Sequence, residues 1–241
     1  MDDKKTINIG VIFAGGVGNR MSTSDTPKQF LEVDGKPIII YTLEPFENNA
    51  EIDAIVVSCI KDKIDYLKSL LVKFNIRKVK GIVEGGKTGQ LSIYNGLKEA
   101  EKIADGNKSI VLIHDGVRPL ITSELLSESI KNVKQYGSSI TSNSAKETVI
   151  VVDDENNMVD IPDRAKVRIA KAPQCFYLDE IMNAHNRALK ENKISFVDSC
   201  SLMKYYGGKP FMAEGPYDNI KITTQDDFYT IKAIIEEKTR K

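Results

Sequence analysis

Three cations stand where charge could be brought to bear on a reacting phosphate: Arg20, Lys28 and Lys221. Arg20 closes the stretch Ala14-Gly-Gly-Val-Gly-Asn-Arg-Met21, which follows the apolar run Ile7–Phe13, and Lys28 comes soon after in Thr26-Pro-Lys-Gln-Phe-Leu31. Glycine-rich turns expose backbone N–H groups that bind phosphate, so two cations beside such a turn suit phosphoryl or nucleotidyl transfer. The same residues also read as a tight turn with solvated basic side chains. The dinucleotide fingerprint is incomplete, because Met21 stands at the third glycine of Gly16-x-Gly18 and no acidic ribose ligand follows about 20 residues later. Nor is there a GK[ST] ending of the P-loop kind.

Two further loops carry unusual sequence. Glu84-Gly-Gly-Lys-Thr-Gly-Gln-Leu-Ser92 places three glycines before a helix, which lets backbone approach a base or a phosphate closely. Ser92 could bond a base edge or simply sit in the first helical turn. Ile113-His-Asp-Gly-Val-Arg-Pro119 ends a strand at Asp115, where a carboxylate could hold a metal or a hydroxyl, and Arg118 reads equally as its local ion-pair partner. His114 and His185 have no GxSxG elbow or HExxH to serve, which favours structural histidines. Lys221, in Pro216-Tyr-Asp-Asn-Ile-Lys-Ile-Thr-Thr224, is either a third cation for the site or an exposed strand lysine.

The elements that must position these residues follow from periodicity. Ile- and Val-rich runs at Ile7–Phe13, Ala54–Cys59, Val79–Val83 and Ser109–His114 alternate with helical spacing, clearest in Lys61–Phe74 and Leu91–Ala104. That predicts an α/β fold, a mostly parallel sheet covered by helices, with ligands bound beyond the carboxyl ends of the strands. From about Lys146 the pattern changes to short extended pieces at Thr148–Val152, Val159–Ile161 and Val167–Ala170, predicting a β excursion or arm at about 146–170. Helices are expected again over Tyr177–Lys190 and in a short Asp198–Tyr206 segment. A strand at Pro210–Glu214 precedes a last helix that opens with a capping box, Thr224 and Asp227.

The 241 residues, 41% apolar, suit one large globular domain, 1–241, carrying that excursion. Lys plus Arg and Asp plus Glu balance at 34 each without a run of like charge, which argues against nucleic acid and a membrane surface as partners. Three cysteines without CxxC spacing argue against a disulfide framework or zinc knuckle. No window approaches the ~20 apolar residues that span a bilayer, and a cytoplasmic location is expected.

Taken together, AGGVGNRM with PKQFL, the glycine loop leading to Ser92, HDGVRP, Asp163-Arg164, Ala172-Pro-Gln174, Asp198 and DNIKITT resemble the cytidylyltransferases that activate polyol phosphates. These are the methylerythritol-phosphate enzyme of isoprenoid synthesis and its relatives that make CDP-ribitol and similar CDP-alditols for cell-surface polymers. The resemblance covers nearly the whole chain. It implies a Rossmann-like nucleotidyltransferase domain, a homodimer joined by β arms, and transfer of CMP from CTP to a polyol phosphate with help from Mg2+. By the same resemblance Ala14, Gly15, Gly16 and Gly18 lie against the ribose and triphosphate, Gly85, Gly86 and Ser92 read cytosine, and Asp115 and Gly116 belong to the nucleotide site. Arg20, Lys28 and Lys221 match the catalytic cations. Arg164, on the arm, matches an arginine that reaches the partner's acceptor phosphate, beside Ala172, Val197 and Asp198 at the acceptor end.

The chain departs from the family pattern at Gly89, where an arginine is usual, and at Ala172 and Val197, where many methylerythritol-phosphate enzymes carry threonine. These losses favour an alditol phosphate as acceptor, ribitol 5-phosphate first and arabinitol or mannitol phosphates next, with methylerythritol 4-phosphate the runner-up. Two other classes compete. An NAD-dependent dehydrogenase lacks its third glycine and acidic ribose ligand, and a non-catalytic nucleotide sensor would have no need of Arg20, Lys28 and Lys221.

Overall fold

The structure, a computed structural model, describes residues 6–15 and 26–239. The elements are β1 (Ile7–Ala14), β2 (Glu32–Val33), β3 (Lys36–Pro37), α1 (Ile38–Asn48), β4 (Ala54–Cys59), α2 (Ile64–Lys73), β5 (Val79–Glu84), α3 (Gly89–Ala104), β6 (Ser109–Asp115) and α4 (Ser123–Tyr136). They continue with β7 (Ser138–Ser144), β8 (Val151–Val152), β9 (Met158–Asp160), β10 (Arg168–Tyr177), α5 (Leu178–Lys190), α6 (Ser199–Tyr205), β11 (Met212–Glu214) and α7 (Gln225–Thr239). A seven-stranded sheet runs in the order β11-β7-β10-β6-β1-β4-β5. β1 is parallel to both β4 and β6, and β10 lies antiparallel between β6 and β7, so the sheet is mostly parallel, as the alternation of apolar runs predicts.

Alternate residues of the central strands feed two apolar layers, as period-2 side chains must. Ile12, Ile55, Val57, Ile110 and Leu112 pack under α1, α2 and α4, while Ile9, Val11, Val56, Val111 and Ile113 pack under α3, α5 and α6. A smaller cluster seats α7 against β2 and the start of α1 through Val33, Ile38, Ile231 and Ile235. The capping box at the head of α7 forms in both directions: Asp227 N donates to Thr224 Oγ1 at 3.3 Å and Thr224 N to Asp227 Oδ2 at 2.7 Å. Thr88 and Thr122 cap α3 and α4 by accepting from the backbone N–H three residues on.

The arm differs from its expected bounds. Its hairpin is only β8 with β9, and Arg168–Ala170 are not part of it: they pair with Ser144–Ser142 of β7 in the main sheet. The extended run from Arg168 to Tyr177 is one strand with a break of register between Ala170 and Gln174. Sequence periodicity also passes over β7, whose SSITSNS carries one aliphatic residue yet is buried from Ser138 to Asn143 between β10 and β11.

Candidate functional site

Strand ends and the loops beyond them converge around Asp115, the last residue of β6. Asp115 is 4% exposed, and its carboxylate takes two cations, Arg118 Nε at 2.8 Å and Lys221 Nζ at 2.6 Å. Burial raises the pKa of such a group, but here the charges of Lys221 and Arg118 outweigh it and hold Asp115 below the ordinary carboxylate value. Arg118 also donates to the carbonyl of Asn219 at 2.9 Å, tying the β6 loop to the segment that carries Lys221. Lys221 rests 5.8 Å from the centre of the Phe13 ring at the end of β1. Lys28 joins the same assembly from the other side, its ammonium donating to Thr223 O at 2.7 Å. Three stretches separated by up to 195 residues in sequence thus meet at the carboxyl ends of the central strands β1 and β6.

The glycine loops meet one another beside it. Gly15 and Gly85 pack backbone to backbone: a Cβ on Gly85 would lie 2.9 Å from Gly15 Cα, and one on Gly86 would lie 2.4 Å from Leu91 Cβ. Ser92 Oγ accepts from Gly86 N at 3.0 Å and donates to Thr88 O at 3.0 Å, so this buried hydroxyl shapes the loop. Ala14 O accepts from the buried Gln29 amide at 2.6 Å, while Gly116 N donates to Phe13 O at 3.0 Å. A Cβ at Gly116 would lie 2.8 Å from that of Ala14, which leaves glycine as the residue that fits. Gly16, Gly18 and Arg20 lie outside the described residues.

A cavity of about 270 Å3 opens between these loops and β10. Asp115, Lys221, Ala172, Val197 and Asp198 all line it, so the predicted acceptor residues and two of the predicted nucleotide and catalytic residues share one space. Asp198 caps α6 by accepting from Ser201 N at 2.7 Å and takes a second bond from Gln174 at 3.1 Å. Gln174 in turn accepts from Cys200 N at 2.8 Å, which fixes the first turn of α6 against β10. Gly89 lines the cavity with nothing within 4 Å of where its Cβ would stand. Arg164 is not brought to this cavity: it sits beyond the hairpin, exposed, with Nη1 3.4 Å from the Lys146 carbonyl. Lys171 is a lining residue that the sequence reading passed over, although a lysine directly before Ala172-Pro-Gln174 was a visible signal.

The histidines are not placed to exchange protons. His114 is fully buried, its Nε2 3.2 Å from Arg118 O and its ring 5.7 Å from that of Phe46; burial pulls its pKa down to about 4. Burial does the same to His185, which stacks on Tyr94. Both are therefore neutral at pH 7, and Asp115 is ionised but paired. The site offers fixed positive charge and backbone N–H groups in place of a general base. Among the described residues no group of three or more His, Cys, Asp or Glu side chains could hold a metal ion, and both Asp115 oxygens already face cations. Among those residues no helix is long and apolar enough to cross a membrane.

Comparison with known proteins gives the same direction. The protein-family model described as IspD: 2-C-methyl-D-erythritol 4-phosphate cytidylyltransferase matches residues 9–237. A ribitol-5-phosphate cytidylyltransferase of Streptococcus agalactiae serotype III (strain NEM316) is 51% identical over 96% of this chain and 97% of that protein. A 2-C-methyl-D-erythritol 4-phosphate cytidylyltransferase of Clostridium botulinum (strain 657 / Type Ba4) is 39% identical over 96% of this chain and 99% of its own. The crystal structure of 4-diphosphocytidyl-2C-methyl-D-erythritol synthase from Anaerococcus prevotii DSM 20548 superposes with a TM-score of 0.82 at 30% identity, covering 96% of each chain.

Proposed function

The chain belongs to the 2-C-methyl-D-erythritol 4-phosphate cytidylyltransferase family, and on that premise we propose that it transfers CMP from CTP to ribitol 5-phosphate, giving CDP-ribitol and pyrophosphate. The observation that carries the reaction type is the buried Asp115 with Lys221 and Arg118, set beside glycine loops in a cavity without a titrating base. The acceptor follows from the 51% identity to a ribitol-5-phosphate enzyme against 39% to a methylerythritol-phosphate enzyme, and from alanine and valine at positions 172 and 197.

The chemistry asks little of a base. A phosphomonoester has a second pKa near 6, so at neutral pH the acceptor phosphate is already a dianion. One of its oxygens attacks the α-phosphorus of CTP, forming the new P–O–P linkage as the bond to the β-phosphate breaks and pyrophosphate leaves with the electron pair. Bringing these anions together is the main barrier, and fixed cations lower it by positioning and charge stabilisation. Lys221 is held by Asp115 and Lys28 by Thr223, which reduces the reorganisation each must undergo; Arg20 completes the set. Magnesium bound with the triphosphate would supply further neutralising charge beside Lys28 and Lys221. Gly85 and Gly86 shape a slot for cytosine, with Ser92 keeping the loop in form. The arm reads as a dimerisation element, since Ile150, Val151, Val152, Met158 and Val159 are all at least 43% exposed. An apolar strip of this kind wants a partner, and a second copy would bring Arg164 toward the acceptor.

The test is pyrophosphate release from CTP and magnesium with a panel of polyol phosphates. Ribitol 5-phosphate should give the highest kcat/KM; higher kcat/KM with methylerythritol 4-phosphate would move the assignment to the runner-up, and release with none would refute it.

A further inference from the structure

Three cations line the cavity, and they are not equivalent. Arg118 and Lys221 are both paired with Asp115, whereas Lys171 makes no carboxylate ion pair among the described residues. Its ammonium donates to the carbonyls of Tyr217 at 2.9 Å and Pro216 at 3.4 Å, which leaves one of three N–H groups for another acceptor. Lys171 is half-buried, and its pKa is lowered by that burial, then by the charge of Arg118; Lys146 adds to the crowding and Asp218 partly offsets it. Among the described residues Arg118, Lys171 and Lys221 outnumber the lining carboxylates Asp115 and Asp198, and Lys171 carries the excess charge without a paired carboxylate, an arrangement suited to an anion.

The surroundings narrow which anion. Lys171 stands where β10 slips register between Ala170 and Gln174, next to Ala172 and across from Val197 and Asp198. Gly15, Gly85 and Gly86 lie outside that lining, so Lys171 faces the cavity on the β10 side and not the close-packed glycine backbone. We propose that Lys171 is a binding residue for the phosphate of the acceptor, supplied by the same subunit as the cavity. This rests on the cytidylyltransferase reading above. It deepens that reading by placing one acceptor-phosphate ligand on β10, independent of the arm and of Arg164.

The experiment is steady-state pyrophosphate release by Lys171→Gln and Lys171→Arg, with titration of inorganic phosphate into each protein. Glutamine keeps an N–H donor for the Tyr217 carbonyl but loses the charge, so a role limited to tethering that loop would leave it near wild type. The expected result for Lys171→Gln is a rise in KM for ribitol 5-phosphate of about tenfold or more, with KM for CTP within about twofold and the melting temperature unchanged. Lys171→Arg should recover most of the loss. An unchanged acceptor KM in Lys171→Gln, or an equal rise in KM for CTP, overturns the proposal. If the unaltered protein turned over no polyol phosphate, the functional reading itself would fall. Inorganic phosphate would then decide Lys171 alone: weaker binding to the glutamine variant supports the anion role and equal binding overturns it.

Discussion

The two walls of the site, the glycine loops beside the cavity and the β10 side that lines it, are made from different material. One is backbone: Gly15 against Gly85, Gly86 against Leu91, Gly116 against Ala14, at approaches that a Cβ would forbid. The other, formed by β10 and the head of α6, is made of side chains: Lys171, Ala172, Gln174, Val197 and Asp198. A wall of backbone recognises shape and offers N–H groups, and it tolerates almost no substitution. A wall of side chains can be altered residue by residue while its scaffold, here Gln174 bonded to Asp198 and to Cys200 N, remains in place. The contrast matches a reaction whose donor is common to a family and whose acceptor is not.

The sharpest test strikes where the walls meet. Lys221→Ala removes a cation from Asp115 and, on the proposed role, from the reacting phosphates, so kcat should fall by about 10²–10³. The melting temperature should drop too, although Arg118 still pairs Asp115 and the Lys221 side chain is 41% exposed, so the destabilisation should stay below the ~3–5 kcal/mol of a fully buried broken pair. Unchanged turnover would remove Lys221 from the machinery.

Gly85→Ala comes next, because it attacks the backbone wall alone. Its methyl would meet Gly15 Cα at 2.9 Å, and overpacking of this kind costs about 1–3 kcal/mol. KM for CTP should rise by about tenfold or more while KM for the acceptor stays within about twofold. Equal rises in both would erase the distinction between the walls.

Acidity acts on the buried core beneath both walls. His114 and His185 titrate at about 4 in the folded chain against 6.5 for a free imidazole, so the unfolded chain binds more protons between those values. Their neutral burial therefore contributes fully above pH 6.5, and that stability is lost as pH falls toward 4, at about 1.4 kcal/mol per pKa unit for each. Melting temperatures measured between pH 7 and pH 4.5 should decline, and His185→Met should flatten part of the decline. Catalysis should weaken below about pH 6 as the acceptor phosphate takes up a proton. A kcat/KM profile that depended instead on His114 would contradict the absence of a general base.

The smallest effect is expected on the side-chain wall. Ala172→Thr with Val197→Thr adds two hydroxyls, but Val197 is 94% exposed, so about one net hydrogen bond of ~0.5–1.5 kcal/mol is gained, which should move the preference between methylerythritol 4-phosphate and ribitol 5-phosphate by about two- to twelvefold toward the former. No change in the ratio would mean that acceptor choice lies elsewhere on the wall.

The same contrast explains what the sequence alone revealed. Glycines forced by close approach leave a mark in any sequence, and so do buried Ile and Val runs, which is why β1, β4, β5 and β6 and the loops after them could be placed from residue types. Asp115 and Lys221 were visible as candidates, but their 2.6 Å pairing joins positions 115 and 221, and no local pattern encodes it. Lys171 is marked in the sequence only by its place before Ala172-Pro-Gln174, since its partners are the carbonyls of residues 216 and 217, which have no side-chain signature. β7 was illegible for the opposite reason, since hydroxyl and amide side chains make a buried strand read as a loop.

The break of register in β10 has a consequence for how such an enzyme changes over generations. Residues 171–173 are released from ladder pairing between two segments that remain paired, Arg168–Ala170 and Gln174–Phe176. A substitution within the break alters no sheet hydrogen bond and disturbs no glycine contact. Side chains at 171 and 172 can therefore change what the cavity admits while the ladder on either side of the break keeps the sheet intact.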